Sequence, residues 1–341
     1  MEIKTRVLPA DEAGVAEAAQ LLRQGQLVAL PTETVYGIAA DARNGAAVRD
    51  IFVAKGRPQD NPLIVHVTGP EMLPGLVSEV PERAQLLMAA FCPGPLTIIM
   101  PRGPEVADEC CAGLDTVGIR LPSHPMARAL IRESGVPLAA PSANTSGRPS
   151  TTTAAHVMRD MDGKIAAILD GGACGVGVES TVITLALERP RLLRPGGITL
   201  EQLRSVLGKV DVDRALYEKI GDDVKVSAPG MKYRHYAPKA PVTVVRGDPD
   251  KTAAYIAAHL GEQTGVMCFD EYRDRFPGCV VECFGSKADL GTQAREVFDR
   301  LRAFDDTDVR QIWAQCPSDE GLGLAVANRI KKAAGFSVVE V

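Results

Sequence analysis

Short apolar runs alternate with segments of helical periodicity along this chain, and that alternation limits the folds open to it. Leu27 to Leu30 and Leu63 to Val67 have the length and composition of buried strands. The segments from Asp11 to Gly25 and from Pro125 to Ser134 have a helical pattern, and the stretch between residues 37 and 55 is helix-like. Strands that alternate with helices are typical of α/β proteins. Several short strand pairs favour a mixed sheet over a purely parallel one.

The alternation is interrupted once, which indicates two domains. At 341 residues the chain is long enough for two hydrophobic cores. From Pro241 onward the pattern restarts and is similar to a small three-layer α/β domain with right-handed crossovers. We therefore expect a first domain over residues 1–210, a linker over residues 211–240, and a smaller Rossmann-like α/β domain over residues 241–341.

A basic turn stands at the end of the second predicted helix. Asn44 can cap that helix, and Lys55-Gly-Arg-Pro follows its last apolar positions. Gly56 lets the backbone approach a ligand closely, and Pro58 restricts the exit from the turn. Lys55 and Arg57 are therefore candidates for binding a polyanion such as a nucleotide phosphate. An ordinary helix C-terminus, where Lys followed by Gly is common capping, explains the same residues equally well.

Further polar residues stand at the ends of predicted strands, where the ligand sites of α/β proteins usually form. Arg120 lies within an apolar strand, so it should be semi-buried and needs an anion, either a ligand carboxylate or an internal Asp or Glu. His66 also lies in a strand, where a histidine is more often a satisfied core residue than a catalyst. The candidate set comprises Thr34, Lys55, Arg57, Asn61, His66, Thr116, Arg120, Ser142, Asn144, Ser180 and Arg194.

The candidate set argues against several reaction classes. It contains no Ser-His-Asp triad, no cysteine beside a histidine and no Walker-type loop, so covalent catalysis is not expected. Cations and hydroxyls instead suit phosphoryl or nucleotidyl transfer, where positioning and charge neutralisation provide most of the rate. The formal net charge of −5 means that any contact with nucleic acid would have to be local.

The composition also indicates a compartment. The eight cysteines include no Cys-x-x-Cys pair, so we expect free thiols rather than a zinc site or a disulfide framework. The sequence has no run of eighteen or more apolar residues, and its N-terminus lacks the apolar core of a signal peptide. These features predict a cytoplasmic protein without a membrane span.

Six motifs occur in this chain in an order that is highly specific. They are Pro31 to Gly37, Lys55-Gly-Arg-Pro-x-x-Asn-Pro-Leu-Ile-Val-His66, Pro93-Gly-Pro-Leu-Thr97, Ser142-Ala-Asn144, Glu179-Ser-Thr181 and Leu193-Arg-Pro-Gly196. With them the chain resembles the YrdC-type threonylcarbamoyl-AMP synthases, and its linker and second domain resemble the longer, two-domain members. The resemblance covers essentially the whole chain. It implies a first domain built on a YrdC-like twisted mixed sheet with helices.

The resemblance implies an enzyme that joins L-threonine, bicarbonate and ATP into threonylcarbamoyl-AMP and releases pyrophosphate. It also implies a functional partner, the tRNA threonylcarbamoyl transferase. The threonine contacts implied by the motifs are Thr34, His66, Arg120, the backbone at Ala140, and Ser180. The implied ATP contacts are Lys55 and Arg57, which are also the catalytic candidates, with Asn61, Thr116, Ser142, Asn144, Ser150 and Arg194. Mg²⁺ is implied as well, held mostly by phosphate and water, so no protein ligand is assigned to it.

The linker differs in composition from an ordinary spacer. Between Val224 and Gly247 there are five cations and no acidic residue, and the interval holds two of the six tyrosines in the chain. We hypothesise that residues 231–236 fold over the cleft of the first domain as a lid. The side chains expected to reach the ligand are Arg234, His235 and Tyr236. An exposed spacer is the simpler alternative.

Two other functions fit parts of the pattern. An RNA-binding module would use the same basic cleft for phosphate backbones, although the net acidity and the placement of cations on separate turns speak against it. A carbamoyl transferase of the hydrogenase-maturation type contains a similar domain, but the cysteine spacing here provides no zinc fingers. Any direct contact of this chain with tRNA is expected to be weak.

Overall fold

The computed structural model describes residues 4–218 and 235–341. The strands in these residues are Arg6–Pro9 (β1), Val28–Leu30 (β2), Gly37–Asp41 (β3), Ile64–His66 (β4), Leu96–Pro101 (β5), Thr116–Arg120 (β6), Leu138–Ala139 (β7), Ala167–Asp170 (β8), Thr181–Thr184 (β9), Arg191–Arg194 (β10), Asp211–Val212 (β11), Val242–Arg246 (β12), Thr264–Cys268 (β13), Val280–Cys283 (β14), Gln311–Gln315 (β15) and Val338–Glu340 (β16). The α-helices are Glu12–Arg23 (α1), Gly45–Lys55 (α2), Glu82–Phe91 (α3), Asp108–Cys111 (α4), Pro125–Ser134 (α5), Ala154–Met161 (α6), Leu200–Leu207 (α7), Pro249–Ala258 (α8), Leu290–Ala303 (α9) and Gly323–Ala333 (α10).

Several helices begin and end at capping residues. The Asp11 side chain accepts a hydrogen bond from the Gly14 N–H at 2.8 Å and begins α1. Asn44 caps α2 in the same way, and Gly56, with a φ of 62°, ends it. Thr199 and Gln202 form a capping box at the start of α7. In the described residues, no helix is long and apolar enough to cross a membrane.

The first domain is built on an eleven-stranded mixed sheet, as expected. Its strand order is β1-β8-β2-β3-β7-β4-β6-β5-β9-β10-β11. Strands β4 and β6 are parallel neighbours, and their register places His66 directly beside Arg120. Strand β5 is parallel to β9, which brings Ser180, just before β9, close to Thr97. Four residues that are distant in sequence thus meet in the middle of the sheet.

The second domain contains a separate five-stranded sheet in the order β14-β13-β15-β12-β16. All four neighbouring pairs are parallel. Parallel strands need crossover connections, and the intervening helices provide them. This confirms the prediction of a smaller Rossmann-like α/β domain.

The two domains share part of a hydrophobic core. Val35 and Val178 of the first domain pack in the same buried cluster as the second-domain residue Phe298. Tyr236, which lies between the domains in the sequence, is also a member of this cluster. A common core of this kind holds the two domains in a defined relation.

Five strands and helices of the first sheet and its layers were not predicted from the sequence, namely β1, β3, α4, α6 and β11, and β11 lies in the range expected to be linker. The prediction of a helix between residues 37 and 55 is correct only for α2, because Gly37–Asp41 forms β3. Its sequence, Gly-Ile-Ala-Ala-Asp, has little intrinsic strand preference. Antiparallel pairing with β2 on one side and β7 on the other makes it a buried central strand.

Candidate active site

A cavity of about 60 Å³ lies where the predicted residues converge. Strand ends and loops from both halves of the first sheet form its wall, together with residues 235 and 236 just before the second domain. The predicted residues that line it are Arg57, His66, Arg120, Ala140, Ser142, Asn144, Ser180, Arg194, His235 and Tyr236. The structure therefore assembles most of the candidate set in one place.

Five other predicted residues within the described part of the chain do not line this cavity. Thr34, Lys55 and Ser150 are buried behind lining residues, to which they are hydrogen-bonded. Asn61 is buried too, and its backbone oxygen accepts a hydrogen bond from Arg57. Thr116 lines a separate small void against β4, β6, β5 and β9. Arg234 lies outside the described residues, so its proposed contact with the ligand stays a prediction.

Arg120 is held by the loop that begins at Pro31. Its Nη2 donates to Glu33 Oε1 at 2.8 Å and to Thr32 Oγ1 at 3.3 Å. The Thr32 hydroxyl also accepts from the Val35 N–H at 3.2 Å, so this side chain fixes the turn that carries Glu33. The guanidinium and the carboxylate are largely buried, with side-chain exposures of 5% and 12%. The internal carboxylate that a semi-buried arginine requires is therefore present.

His66 is neutral in this environment. It is buried, and its Nδ1 lies 3.2 Å from the Ile64 carbonyl oxygen. Burial, with the Arg120 guanidinium as a second cause, lowers the pKa of His66 to about 3. At neutral pH the imidazole therefore adds no positive charge to the site, and it can act as a hydrogen-bonding group.

Lys55 organises the loop that follows β7. Its Nζ donates to the Asn144 carbonyl oxygen at 2.6 Å and also to the Ser142 carbonyl oxygen. Full burial, reinforced by the nearby Arg57 charge, lowers the pKa of Lys55 well below its ordinary value. In this structure Lys55 thus supports the loop that presents Ser142 and Asn144 to the cavity. Its predicted contact with phosphate stays a prediction.

Ser180 and Arg194 form a second buried pair. Arg194 donates from Nε to the Ser180 carbonyl oxygen at 3.0 Å and from Nη2 to the Ser180 hydroxyl at 3.1 Å. The same hydroxyl lies 2.8 Å from Thr97 Oγ1. Burial lowers the pKa of Arg194 to about 10, which still leaves the guanidinium charged at neutral pH. The wall of the cavity thus carries a fixed cation beside a fixed hydroxyl.

Glu179 is a lining residue to which the sequence reading gave no role. Its carboxylate accepts hydrogen bonds from the Ser150 hydroxyl and from Arg329 Nε, the latter at 2.7 Å. Burial opposes its ionisation, but the Arg329 and Arg194 charges outweigh burial and lower the pKa of Glu179 to about 2. Arg329 belongs to α10, so the second domain contributes a charge directly behind the cavity wall.

The segment that enters the second domain closes part of the cavity. Tyr236 is buried there with its ring 5.1 Å from Phe298 and its face 5.6 Å from the Arg329 guanidinium. Burial and the Glu179 charge raise the pKa of Tyr236 to about 12. Tyr236 therefore forms part of the cavity wall. A residue of an exposed spacer would not be buried in this way.

Within residues 4–218 and 235–341, three polar atoms in or near the site are buried and have no hydrogen-bond partner. They are Asn61 Oδ1, Arg120 Nε and Asn144 Oδ1. Buried polar groups in proteins are nearly always satisfied, and exceptions point to a ligand, an ion or water. The set contains one donor and two acceptors, so a guest with both kinds of group would satisfy it.

Two family models match the chain. One, described as "Telomere recombination", covers residues 20–196, and the other, described as "Threonylcarbamoyl-AMP synthase, C-terminal domain", covers residues 198–335. The threonylcarbamoyl-AMP synthase of Bacillus subtilis is 48% identical over 98% of this chain and 97% of its own length. The chain belongs to the threonylcarbamoyl-AMP synthase family. A relative in this family from Pyrococcus abyssi is 46% identical over 97% of each sequence.

A solved structure of the family has the same two-domain fold. Pyrococcus abyssi Sua5 complexed with L-threonine superposes with a TM-score of 0.94 at 44% identity, over 99% of this chain and 100% of that chain. E. coli YciO covers 57% of this chain at 23% identity and a TM-score of 0.52, which shows the fold alone. The sequence-based recognition of the threonylcarbamoyl-AMP synthase family and of its long form is confirmed.

The charged residues Glu33, Glu179 and Arg329 received no role from the sequence. Glu33 and Glu179 both stand inside recognised motifs, and the expectation that a semi-buried Arg120 needs an internal Asp or Glu was the available signal for Glu33. Arg329 gave no such signal, because its partner Glu179 is 150 residues away. A contact between residues so far apart depends on how the two domains pack together, and local sequence patterns do not reveal this packing.

Proposed function

We propose that this protein forms threonylcarbamoyl-AMP from L-threonine, bicarbonate and ATP, with release of pyrophosphate. The observation that carries the proposal is a single cavity whose wall contains candidates for both substrates. Arg120 and Ser180 are the amino-acid candidates, while Arg57, Ser142 and Asn144 are the nucleotide candidates. Membership of the threonylcarbamoyl-AMP synthase family and the close match to a threonine-bound relative support it.

The amino-acid end of the cavity centres on Arg120. Its Nε is buried without a partner, so a substrate carboxylate can accept from it. Ser180 lines the same cavity with a hydroxyl that Thr97 and Arg194 hold in place. The neutral His66 next to Arg120 adds a hydrogen-bonding ring without a second charge. We assign the threonine subsite to these groups, together with Thr34 and the backbone at Ala140.

The nucleotide end centres on Arg57 and the loop after β7. Arg57 Nη2 donates to the Asn61 carbonyl oxygen at 3.1 Å, which fixes the guanidinium on the basic turn. Ser142 and Asn144 are held by Lys55 from behind, and Ser150 is held by Glu179. Arg194 adds a buried cation. Arginine forks and hydroxyls recognise phosphate oxygens, so we assign ATP to this set together with Lys55, Asn61 and Thr116.

The chemistry requires alignment and the exclusion of water. The threonine amine adds to CO₂ derived from bicarbonate, loses a proton and becomes a carbamate. A carbamate oxygen then attacks the α-phosphorus, and the bond from this phosphorus to the β-phosphate oxygen breaks to release pyrophosphate. Both the carbamate and the mixed anhydride are lost readily to hydrolysis, so a buried, preorganised site protects them.

We propose that Mg²⁺ enters with ATP. In residues 4–218 and 235–341 no group of three His, Cys, Asp or Glu side chains is placed to hold a metal ion. Mg²⁺ commonly keeps water ligands and takes the rest from substrate phosphates. The eight cysteines are free thiols in this structure.

We also propose that the segment at His235 and Tyr236 moves when substrates enter. The cavity has a volume of only about 60 Å³. An amino acid and a nucleotide need far more space, and these two residues form part of the wall. Their displacement admits the substrates, and their return excludes water, which is the action expected of a lid.

One assay tests this function against its rivals. Pyrophosphate release is measured with ATP, threonine and bicarbonate together and with each omitted in turn. We expect release only when all three are present. An RNA-binding module releases none, and a carbamoyl transferase of the hydrogenase-maturation type does not depend on threonine. Release without threonine, or no release under any condition, would refute the proposal.

The product defines the next step. Threonylcarbamoyl-AMP is a labile mixed anhydride, so a tRNA threonylcarbamoyl transferase has to consume it promptly. We propose that this step occurs in the cytoplasm and that contact of this chain with tRNA is at most weak, since the net charge is −5. Complete tRNA modification in a mixture of this protein and such a transferase is the expected result.

A further inference from the structure

Glu33 holds Arg120 from a position that the reaction itself does not explain. One carboxylate oxygen accepts from Arg120 Nη2 at 2.8 Å, and the other accepts from the Ser123 N–H at 3.2 Å. The backbone oxygen of Glu33 accepts from the Val176 N–H at 2.7 Å. Arg120 is among the residues that line the cavity, whereas Glu33 is not. The carboxylate is therefore fixed by two hydrogen bonds and its backbone by a third, and it touches the guanidinium rather than the cavity.

This pairing changes the charge that a ligand meets. A lone buried guanidinium would attract any anion strongly. With Glu33 in contact, the pair is neutral overall, and its remaining field is that of a dipole. A plain anion is then attracted by Arg120 but repelled by Glu33, which lies behind the guanidinium. A zwitterion carries its own cation, whose attraction to Glu33 offsets that repulsion.

We propose that Glu33 is a positioning and specificity-determining residue that makes the Arg120 subsite select a zwitterionic amino acid over a plain anion. It fixes the guanidinium for the substrate carboxylate and cancels the charge that would otherwise favour 2-hydroxy acids, 2-oxo acids and inorganic anions. The inference rests on the proposed assignment of the threonine carboxylate to Arg120.

The first test compares two ligands on the unmodified protein. L-threonine and its 2-hydroxy analogue, 2,3-dihydroxybutanoate of matching configuration, differ only in the ammonium group. Titration calorimetry at neutral pH gives both dissociation constants. We expect the analogue to bind at least about a hundredfold more weakly than threonine. Similar dissociation constants would overturn the inference, whereas failure of threonine itself to bind would instead refute the proposed function.

The second test removes the charge. In Glu33→Gln we expect the preference for threonine over the hydroxy analogue to fall by about tenfold, because the repulsion of the anion disappears while the zwitterion gains little. Glu33→Asp keeps the charge, so it should retain the preference even if both ligands bind more weakly. Glu282→Gln removes a carboxylate from an Arg–Glu pair in the second domain and serves as the matched control.

The preference for threonine over the hydroxy analogue distinguishes an effect of the Glu33 charge from a purely structural effect of this side chain. If Glu33 acts only by supporting the loop, both ligands lose affinity equally in Glu33→Gln and the preference stays unchanged, which would overturn the inference. Thermal unfolding of each variant shows which ones are folded. Should Glu33→Gln fail to fold, Glu33→Asp and the comparison on the unmodified protein still decide the matter, since a loss of preference in Glu33→Asp also contradicts the charge effect.

Discussion

A buried arginine needs a hydrogen-bond acceptor for each of its N–H groups, and the protein does not provide one for every N–H group of Arg120. Its Nη2 is satisfied by Glu33 and Thr32, but its Nε is buried without a partner. A buried donor left unsatisfied costs about 1 to 3 kcal/mol. A ligand carboxylate that accepts from this donor recovers part of that cost, so binding of the amino acid should depend strongly on this one side chain.

The first prediction concerns Arg120→Ala. Loss of a charge-assisted hydrogen bond of about 1.5 to 3 kcal/mol should weaken threonine binding by about ten- to over a hundredfold, as measured by calorimetry. Arg49→Ala removes an arginine from a surface pair with Glu109 and should leave threonine binding unchanged. If Arg120→Ala weakens ATP binding and spares threonine, the assignment of Arg120 to the amino-acid carboxylate is wrong.

The second prediction follows from the neutral state of His66. In the folded chain its pKa is about 3, whereas an unfolded histidine binds a proton below about pH 6.5. As the pH falls below about 6.5 the unfolded state binds more protons, so the free energy of unfolding decreases. This group alone accounts for a loss of about 2 kcal/mol between about pH 7 and pH 5.

Denaturant unfolding of the wild type and of His66→Asn at both pH values measures that contribution. The asparagine variant is expected to be less stable at neutral pH, because it disturbs a buried position. Its decrease in stability on going to the lower pH should nevertheless be smaller than that of the wild type by about 2 kcal/mol. Parallel pH dependences would mean that the pKa of His66 is about the same in the folded and unfolded states.

At the scale of single elements, helix α2 and its C-terminal turn set the direction of the basic residues. Gly56 adopts a left-handed conformation with a φ of 62°, and its N–H donates to the Phe52 and Val53 carbonyl oxygens. An alanine Cβ at this position would meet no atom within 4 Å, so only the backbone opposes the substitution. The turn can therefore be strained without disturbing any packing.

The third prediction compares Gly56→Ala with Gly135→Ala. Gly135 ends α5 in the same left-handed conformation, with a φ of 72° and the same free space. Each substitution should lower the free energy of unfolding by about 1 kcal/mol. Only Gly56→Ala should also raise the KM for ATP, because it disturbs the turn between Lys55 and Arg57. An equal rise in both variants would show that the turn has no specific role.

Local signals explain how much of the fold the sequence could predict. Helix α5 has the predicted bounds, Pro125 to Ser134, because its apolar positions, N-terminal proline and C-terminal glycine agree. Strand β3 was missed because its alanines prefer helix and only its neighbours make it a strand. The site residues were found through motifs, whereas the carboxylates that hold them became evident only in three dimensions.

At the scale of the whole molecule, the second domain supports the first through buried charges. Arg302 of α9 donates from Nε to the Ser150 carbonyl oxygen and from Nη2 to Asp160, at 3.2 and 3.0 Å. Asp160 in turn accepts from the Thr145 N–H at 2.9 Å. The loop that carries the nucleotide candidates is thus fixed between the domains. No catalytic candidate was predicted in the second domain, because Arg302 and Arg329 look like ordinary charged helix residues in the sequence.

The last prediction measures that support with Arg302→Met. Removing Arg302 leaves the buried Asp160 carboxylate with only a longer ion pair to Arg148, at 3.6 Å, so the free energy of unfolding should fall by about 3 to 5 kcal/mol. The double variant Arg302→Met, Asp160→Leu should recover part of this loss, because no buried charge remains. Arg159→Ala breaks an exposed pair with Asp306 between the same domains and is the control for loss of a surface contact.

Denaturant unfolding of the three variants shows whether buried charges or apolar contacts hold the two domains together. If buried charge holds the domains together, Arg302→Met loses stability and Arg159→Ala does not. The KM for ATP should rise in Arg302→Met because Ser150 lies in the loop that Arg302 holds. Equal, small losses in both single variants would instead assign the contact to the shared apolar cluster around Tyr236 and Phe298.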